Sequence, residues 1–125
     1  AAAGLTAPHL GVPARVVVLR TDPDEPPETY VNPDLVWRSE ERAETREGSV
    51  SMPGVSETVE RARAVRVRFR DLDGAEREAE LADFRAACLQ HEVDQLDGVF
   101  WIERLSRLRR ERVVKRFAKL RAQGG

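Results

Sequence analysis

Gln90-His91-Glu92-Val93-Asp94-Gln95-Leu96-Asp97-Gly98 is the stretch from which the rest of the chain is best read. It carries most of an H-E-x-x-H helix motif. In that motif two imidazoles at i and i+4 share a face and hold a metal, while the Glu between them acts as general base on the bound water. Gln95 stands where the second imidazole belongs. Just upstream, Phe84, Ala87, Cys88, His91 and Gln95 recur at i, i+3, i+4, i+7 and i+11, which predicts one helical face, with Asp83 as N-cap and Gly98 as the stop.

On the N-terminal side the period is that of strands. Arg15-Val16-Val17-Val18-Leu19 is a β-branched run closed by the loop Thr21-Asp22-Pro23-Asp24-Glu25-Pro26-Pro27. Glu28 to Val31 and Leu35 to Glu40 read as two strands separated by Asn32-Pro33, and Glu44 to Ser51 as a fourth. Val65, Val67 and Phe69 alternate with Arg66, Arg68 and Arg70, the pattern of a strand with one wet face. Asp71-Leu72-Asp73-Gly74 supplies a turn, and Ala75 to Leu81 returns as the hairpin partner. After the central helix, Ser106 caps a last helix whose apolar stripe is Leu108, Val113, Val114, Phe117 and Leu120. The expected fold class is α+β, with antiparallel sheets around a motif-bearing helix and a C-terminal helix.

The 125 residues suit one domain, 1–125, and contain no run of about 18 apolar residues to span a membrane. Cys88 is the single cysteine, so no internal disulfide forms and a reducing compartment is expected. The chain begins Ala1-Ala2-Ala3-Gly4 without the charged-then-apolar layout of a signal peptide, and the expectation is a soluble, cytoplasmic or organellar protein. The formal charge of −1 conceals a split. From Arg104 onward there are nine Lys or Arg and one Glu, against 12 basic and 21 acidic residues before it. A basic helix at residues 104–121 on an acidic body points to an anionic partner such as nucleic acid, although a solvated face reads the same way.

Three segments, in order, resemble peptide deformylases. Gly4-Leu5-Thr6-Ala7-Pro8-His9-Leu10-Gly11-Val12 is similar to their G-L-A-A-P-Q segment. Glu47-Gly48-Ser49-Val50-Ser51-Met52-Pro53-Gly54 is similar to E-G-C-L-S-x-P, and Gln90 to Gly98 to Q-H-E-x-D-H-L-x-G. Phe100 to Leu120 resembles the C-terminal segment, and the helix and first strand that usually precede the first motif are not present. The resemblance implies a hydrolase that removes formyl from the N-terminal methionine of nascent peptides, one divalent metal (Fe2+ or Zn2+), and a ribosome contact through the C-terminal helix.

Carried over residue by residue, the resemblance puts Ser49, His91 and Gln95 at the metal-ligand positions and Glu92 at the general base. Gly4, His9, Val50 and Ser56 fall at oxyanion or substrate-binding positions, Val50 through its backbone N–H and Ser56 where many members have an Arg. A serine hydroxyl and an amide oxygen are poor substitutes for thiolate and imidazole. The expectation is therefore a degenerate site holding no cofactor, on a scaffold that keeps its peptide cleft. The alternative is an active metal-dependent deformylase or related amide hydrolase. His91 is then a ligand or a hydrogen-bonded core residue, Glu92 a base or a buried structural carboxylate held by backbone donors around Gly48 and Ser49, and Cys88 a core thiol. A serine-nucleophile reading of Ser49 with His91 lacks both an orienting Asp motif and a G-x-S-x-G elbow.

Overall fold

A computed structural model describes residues 4–6, 15–49 and 51–124. Seven strands, two α-helices and a 3-10 turn follow in chain order: β1 Gly4–Thr6, β2 Val16–Leu19, β3 Glu28–Arg38, β4 Arg42–Glu47, β5 Glu57–Ala62, β6 Ala64–Arg70, β7 Glu76–Ala82, α1 Asp83–Leu96, the turn Trp101–Arg104, and α2 Arg107–Gly124. The main sheet has the order β1-β2-β3-β6-β7, every neighbouring pair antiparallel, and β4 pairs β5 in a second, two-stranded sheet. The α+β reading holds.

The hairpin from β6 to β7 follows the sequence closely. Val65 and Val67 are fully buried, and Arg66, Arg68 and Arg70 face Glu80, Glu78 and Glu76 across the strands. Asp71 closes the turn by accepting N–H bonds from Asp73 and Ala75, and Gly74 supplies the left-handed residue (φ 82°). Elsewhere the sequence-based boundaries need correcting. The two strands expected around Asn32-Pro33 are one strand, β3, which absorbs Asn32 (φ 50°) as a register irregularity between Val31 and Asp34. The fourth strand ends at Glu47 and not at Ser51, and β5 was not anticipated at all.

Helix α1 begins after Ala82. Asp83 is its first residue, with a positive φ of 55°, and its carboxylate accepts from Arg63 where a cap would bond the helix's own N–H. The core-facing side is Ala86, Leu89, Gln90 and Val93, while Phe84 is exposed, so the expected face is displaced by about one residue. Gly98 does stop the helix. Its N–H donates to the Gln95 carbonyl and that of Val99 to the Asp94 carbonyl, the paired bonds of a Schellman cap around a φ of 78°.

Two apolar clusters form. The larger seats α1 on the main sheet through Val17, Leu19, Tyr30, Val65, Val67, Leu81, Leu89 and Val93. The second gathers Met52, Val55, Val59, Trp101, Leu105 and Val113 beneath α2. Ser106 caps α2 by accepting the Arg109 N–H. Of the expected stripe only Val113 is fully covered; Leu108, Val114 and Leu120 are exposed.

Candidate functional site

Helix α1 lies against the β4–β5 sheet, and one glutamine clamps the two together. Gln90 donates from Nε2 to the Ala62 and Ala86 carbonyls and accepts the Ala62 N–H at Oε1. A buried amide with all its bonds made fixes helix rotation, because turning α1 would strand each of those groups. This clamp aims His91 and Gln95 at β4 and Asp94 at β5.

Glu47, at the end of β4, organises the site. Its Oε1 accepts from Arg61 Nη2 at 2.8 Å and from His91 Nδ1 at 2.8 Å; its Oε2 accepts from Arg61 Nε at 2.9 Å and Thr45 Oγ1 at 2.8 Å. The carboxylate is thus saturated. Burial alone would push its pKa up, but the guanidinium of Arg61 and the His91 and Thr45 donors outweigh that and hold it at about 2. Arg61 turns its remaining edge to Asp94 at 2.5 Å, and Arg104 closes on the same carboxylate at 2.9 and 3.0 Å. Arg61 is only 3% exposed. Burial opposes its charge, and its two carboxylate partners more than restore it.

The far ring nitrogen of His91 is also occupied. Gln95 Nε2 lies 3.0 Å from His91 Nε2. An amide nitrogen can only donate, so His91 accepts at Nε2 and carries its proton at Nδ1, directed to Glu47. Ser49 Oγ shares a hydrogen bond with Ser51 Oγ at 2.7 Å and accepts the Ser51 N–H at 3.2 Å. Glu92 is buried on the same helix. Burial first, and then the charges of Glu47 and Glu92, push the Cys88 thiol up to about 11, so it stays protonated at neutral pH and offers no thiolate. Among the described residues no three His, Cys, Asp or Glu side chains converge as a metal cage.

Of the residues singled out from the sequence, His91 and Gln95 come together directly. Ser56 is occupied from another side, accepting from Arg46 Nε at 3.1 Å. Gly4 lies in β1, paired with Leu19, whereas His9 and Val50 lie outside the described residues. The sequence reading passed over Glu47, Arg61, Thr45 and Asp94. Glu47 and Asp94 sat inside quoted motifs, but Arg61 lay on a strand that had not been anticipated. Gly48 between Glu47 and Ser49 is required by space, since a Cβ there would lie 2.9 Å from the Val55 carbonyl oxygen.

Comparison with known proteins bears directly on this geometry. The family profile described as polypeptide deformylase matches residues 1–111. A peptide deformylase-like protein of Rhizobium meliloti is 58% identical over 93% of this chain and 67% of its own length. One from Brucella melitensis is 56% identical over 94% of this chain and 71% of its own. The crystal structure of a peptide deformylase from Synechococcus elongatus in complex with actinonin superposes with a TM-score of 0.84 at 30% identity, covering 91% of this chain and 64% of that one. The chain therefore spans roughly two thirds of the length of such proteins. With its fold, motif order and helix α1 in agreement, the chain belongs to the peptide deformylase family.

Proposed function

We propose that this chain is a deformylase-family protein that keeps a binding cleft beside Ser49 and α1 for a peptide N-terminus, formyl-methionyl or other, and hydrolyses it little or not at all. The carrying observation is that Gln95 occupies the Nε2 side of His91, its amide nitrogen 3.0 Å away, where a second imidazole would share a metal. The donor set does not fit a dication such as Fe2+ or Zn2+. Thiolate, neutral imidazole and carboxylate are the good ligands for such ions, and here a single imidazole stands at positions otherwise filled by a neutral hydroxyl and an amide. Without a Lewis acid, water keeps a pKa of about 15.7, too high for Glu92 to generate a nucleophile. What the residues support is binding, because α1 is pinned in rotation by Gln90 and His91.

The test is metal content per chain after exposure to iron(II), zinc, nickel and cobalt, together with formate release from formyl-methionyl peptides. The expected result is little metal and no turnover for the natural chain, and metal uptake for S49C/Q95H. The retained His91-Glu92 pair favours the active alternative. Stoichiometric metal and turnover that disappears in E92Q would establish it.

Helix α2 supports an additional contact with the ribosome. Arg110, Lys115, Arg116, Lys119 and Arg121 have no ion-pair partner among the described residues. Such a face binds RNA by counterion release, so co-sedimentation with ribosomes should fall steeply as salt rises. Equal co-sedimentation of a K115Q/R116Q/K119Q variant would retire this contact.

A further inference from the structure

Behind the His91 network, on the Asp94 side of α1, lies a second concavity of about 240 Å³. Its inner wall contains Arg61, Asp94 and Gln90, and Arg38, Arg42 and Arg104 stand around it with Glu60. Its charge is unbalanced, since four guanidiniums face two carboxylates. Arg61 is neutralised by Glu47 and Asp94, and Arg104 by Asp94. Arg42 donates only to the Glu60 backbone carbonyl at 3.4 Å, and Arg38 has no polar partner among the described residues. Two exposed guanidiniums at the β3–β4 connection are thus left over where the pocket narrows onto a buried, fully hydrogen-bonded polar wall.

We propose that this pocket is an anion site for a dianionic phosphate group, free or as a small monoester, held by Arg38 and Arg42 with Arg104 at its flank. Guanidiniums bind phosphate bidentately through a planar fork, and Arg38 and Arg42 supply the uncommitted positive charge that attracts such an anion. The volume falls below the ~300–1,000 Å³ of sites for drug-sized ligands, so the group bound is small. The pocket is also wired to the cleft. Arg61 forms part of its wall and grips Glu47, which holds His91 Nδ1, so an anion that draws on Arg61 or Arg104 alters the field at His91. The site is independent of how the cleft functions, and its test does not use a peptide.

Inorganic phosphate and methyl phosphate are titrated into the full chain, following side-chain Nε–H signals of Arg38, Arg42, Arg61 and Arg104 and the ring signals of His91 by NMR. At about 0.15 M salt, where charges beyond ~8 Å are screened, saturable 1:1 binding is expected, with the arginine and His91 signals titrating together. R38Q/R42Q, which removes no ion pair and should melt with the natural chain, is expected to weaken binding at least about tenfold. K115Q/R116Q/K119Q on α2 is expected to bind as the natural chain does. Equal binding of both phosphates assigns the site to the phosphate group itself, and preference for methyl phosphate assigns it to monoesters. Binding unaffected by R38Q/R42Q, binding lost in the α2 variant, or no saturable binding would each overturn the proposal.

Discussion

Glu47 is buried, accepts four hydrogen bonds and has a pKa near 2 against an ordinary 4.5. A carboxyl whose pKa is depressed on folding stabilises the native state above its unfolded pKa, and that contribution is lost as pH falls through the folded one. At about 1.4 kcal/mol per pH unit, it amounts to on the order of 3 kcal/mol, lost between roughly pH 4.5 and pH 2. Urea midpoints measured across that window should fall for the natural chain and fall less for E47Q. E47Q should itself be destabilised by about 3–5 kcal/mol at neutral pH, because Arg61 is left buried with half its partners gone. From sequence, the Glu47-Gly48-Ser49 motif was visible, but the partnership of Glu47 with His91, 44 residues away, was not. Composition and spacing give residue types; only the fold shows that Gln95 turns inward onto His91.

At the scale of elements, the legible parts were those where polarity and burial agree. The β6–β7 hairpin, with Val65 and Val67 inside and arginines outside, could be read directly. Strand β5 could not, because Glu57-Thr58-Val59-Glu60-Arg61-Ala62 buries an arginine that is acceptable only as an ion-paired residue. Helix α1 misled in the same way. Its inner side carries Gln90, Glu92 and Asp94, polar residues that Ala62, Arg61 and Arg104 accommodate in the cases of Gln90 and Asp94. Two glycines separate conformational from steric requirements. Gly98 at φ 78° has open space around a Cβ, so G98A should cost only the left-handed backbone term, about 1–2 kcal/mol. Gly48 meets the Val55 carbonyl oxygen at 2.9 Å, so G48A must shift backbone. It should lose more stability than G98A in parallel denaturation curves, and should disturb the amide signals of Ser49 and Ser56.

Over the whole molecule, stability is unevenly distributed between the two apolar clusters. The larger is sealed by six fully buried side chains of β2, β6 and α1: Val17, Leu19, Val65, Val67, Ala86 and Leu89. The smaller depends on Trp101, which is 1% exposed and whose indole Nε1 has no hydrogen-bond partner among the described residues. W101A should cost about 3–5 kcal/mol by lost burial and cavity formation, while V114A on the exposed side of α2 should stay within about 0.5 kcal/mol. Guanidinium unfolding of both variants checks this contrast. Helix α2 itself touches the body through Val113 and Phe117, through Leu120 against Gly54, and through the Arg112–Glu57 pair and the bond from Arg109 to the Thr58 carbonyl. A rod of 18 residues whose contacts end at Leu120 should breathe at its free end. Its last turn, beyond Leu120, should exchange its amide hydrogens with deuterated water long before those of α1. Whatever molecule settles on that end must also bear the entropy of stilling it, which favours quick arrival and quick departure over a lasting grip.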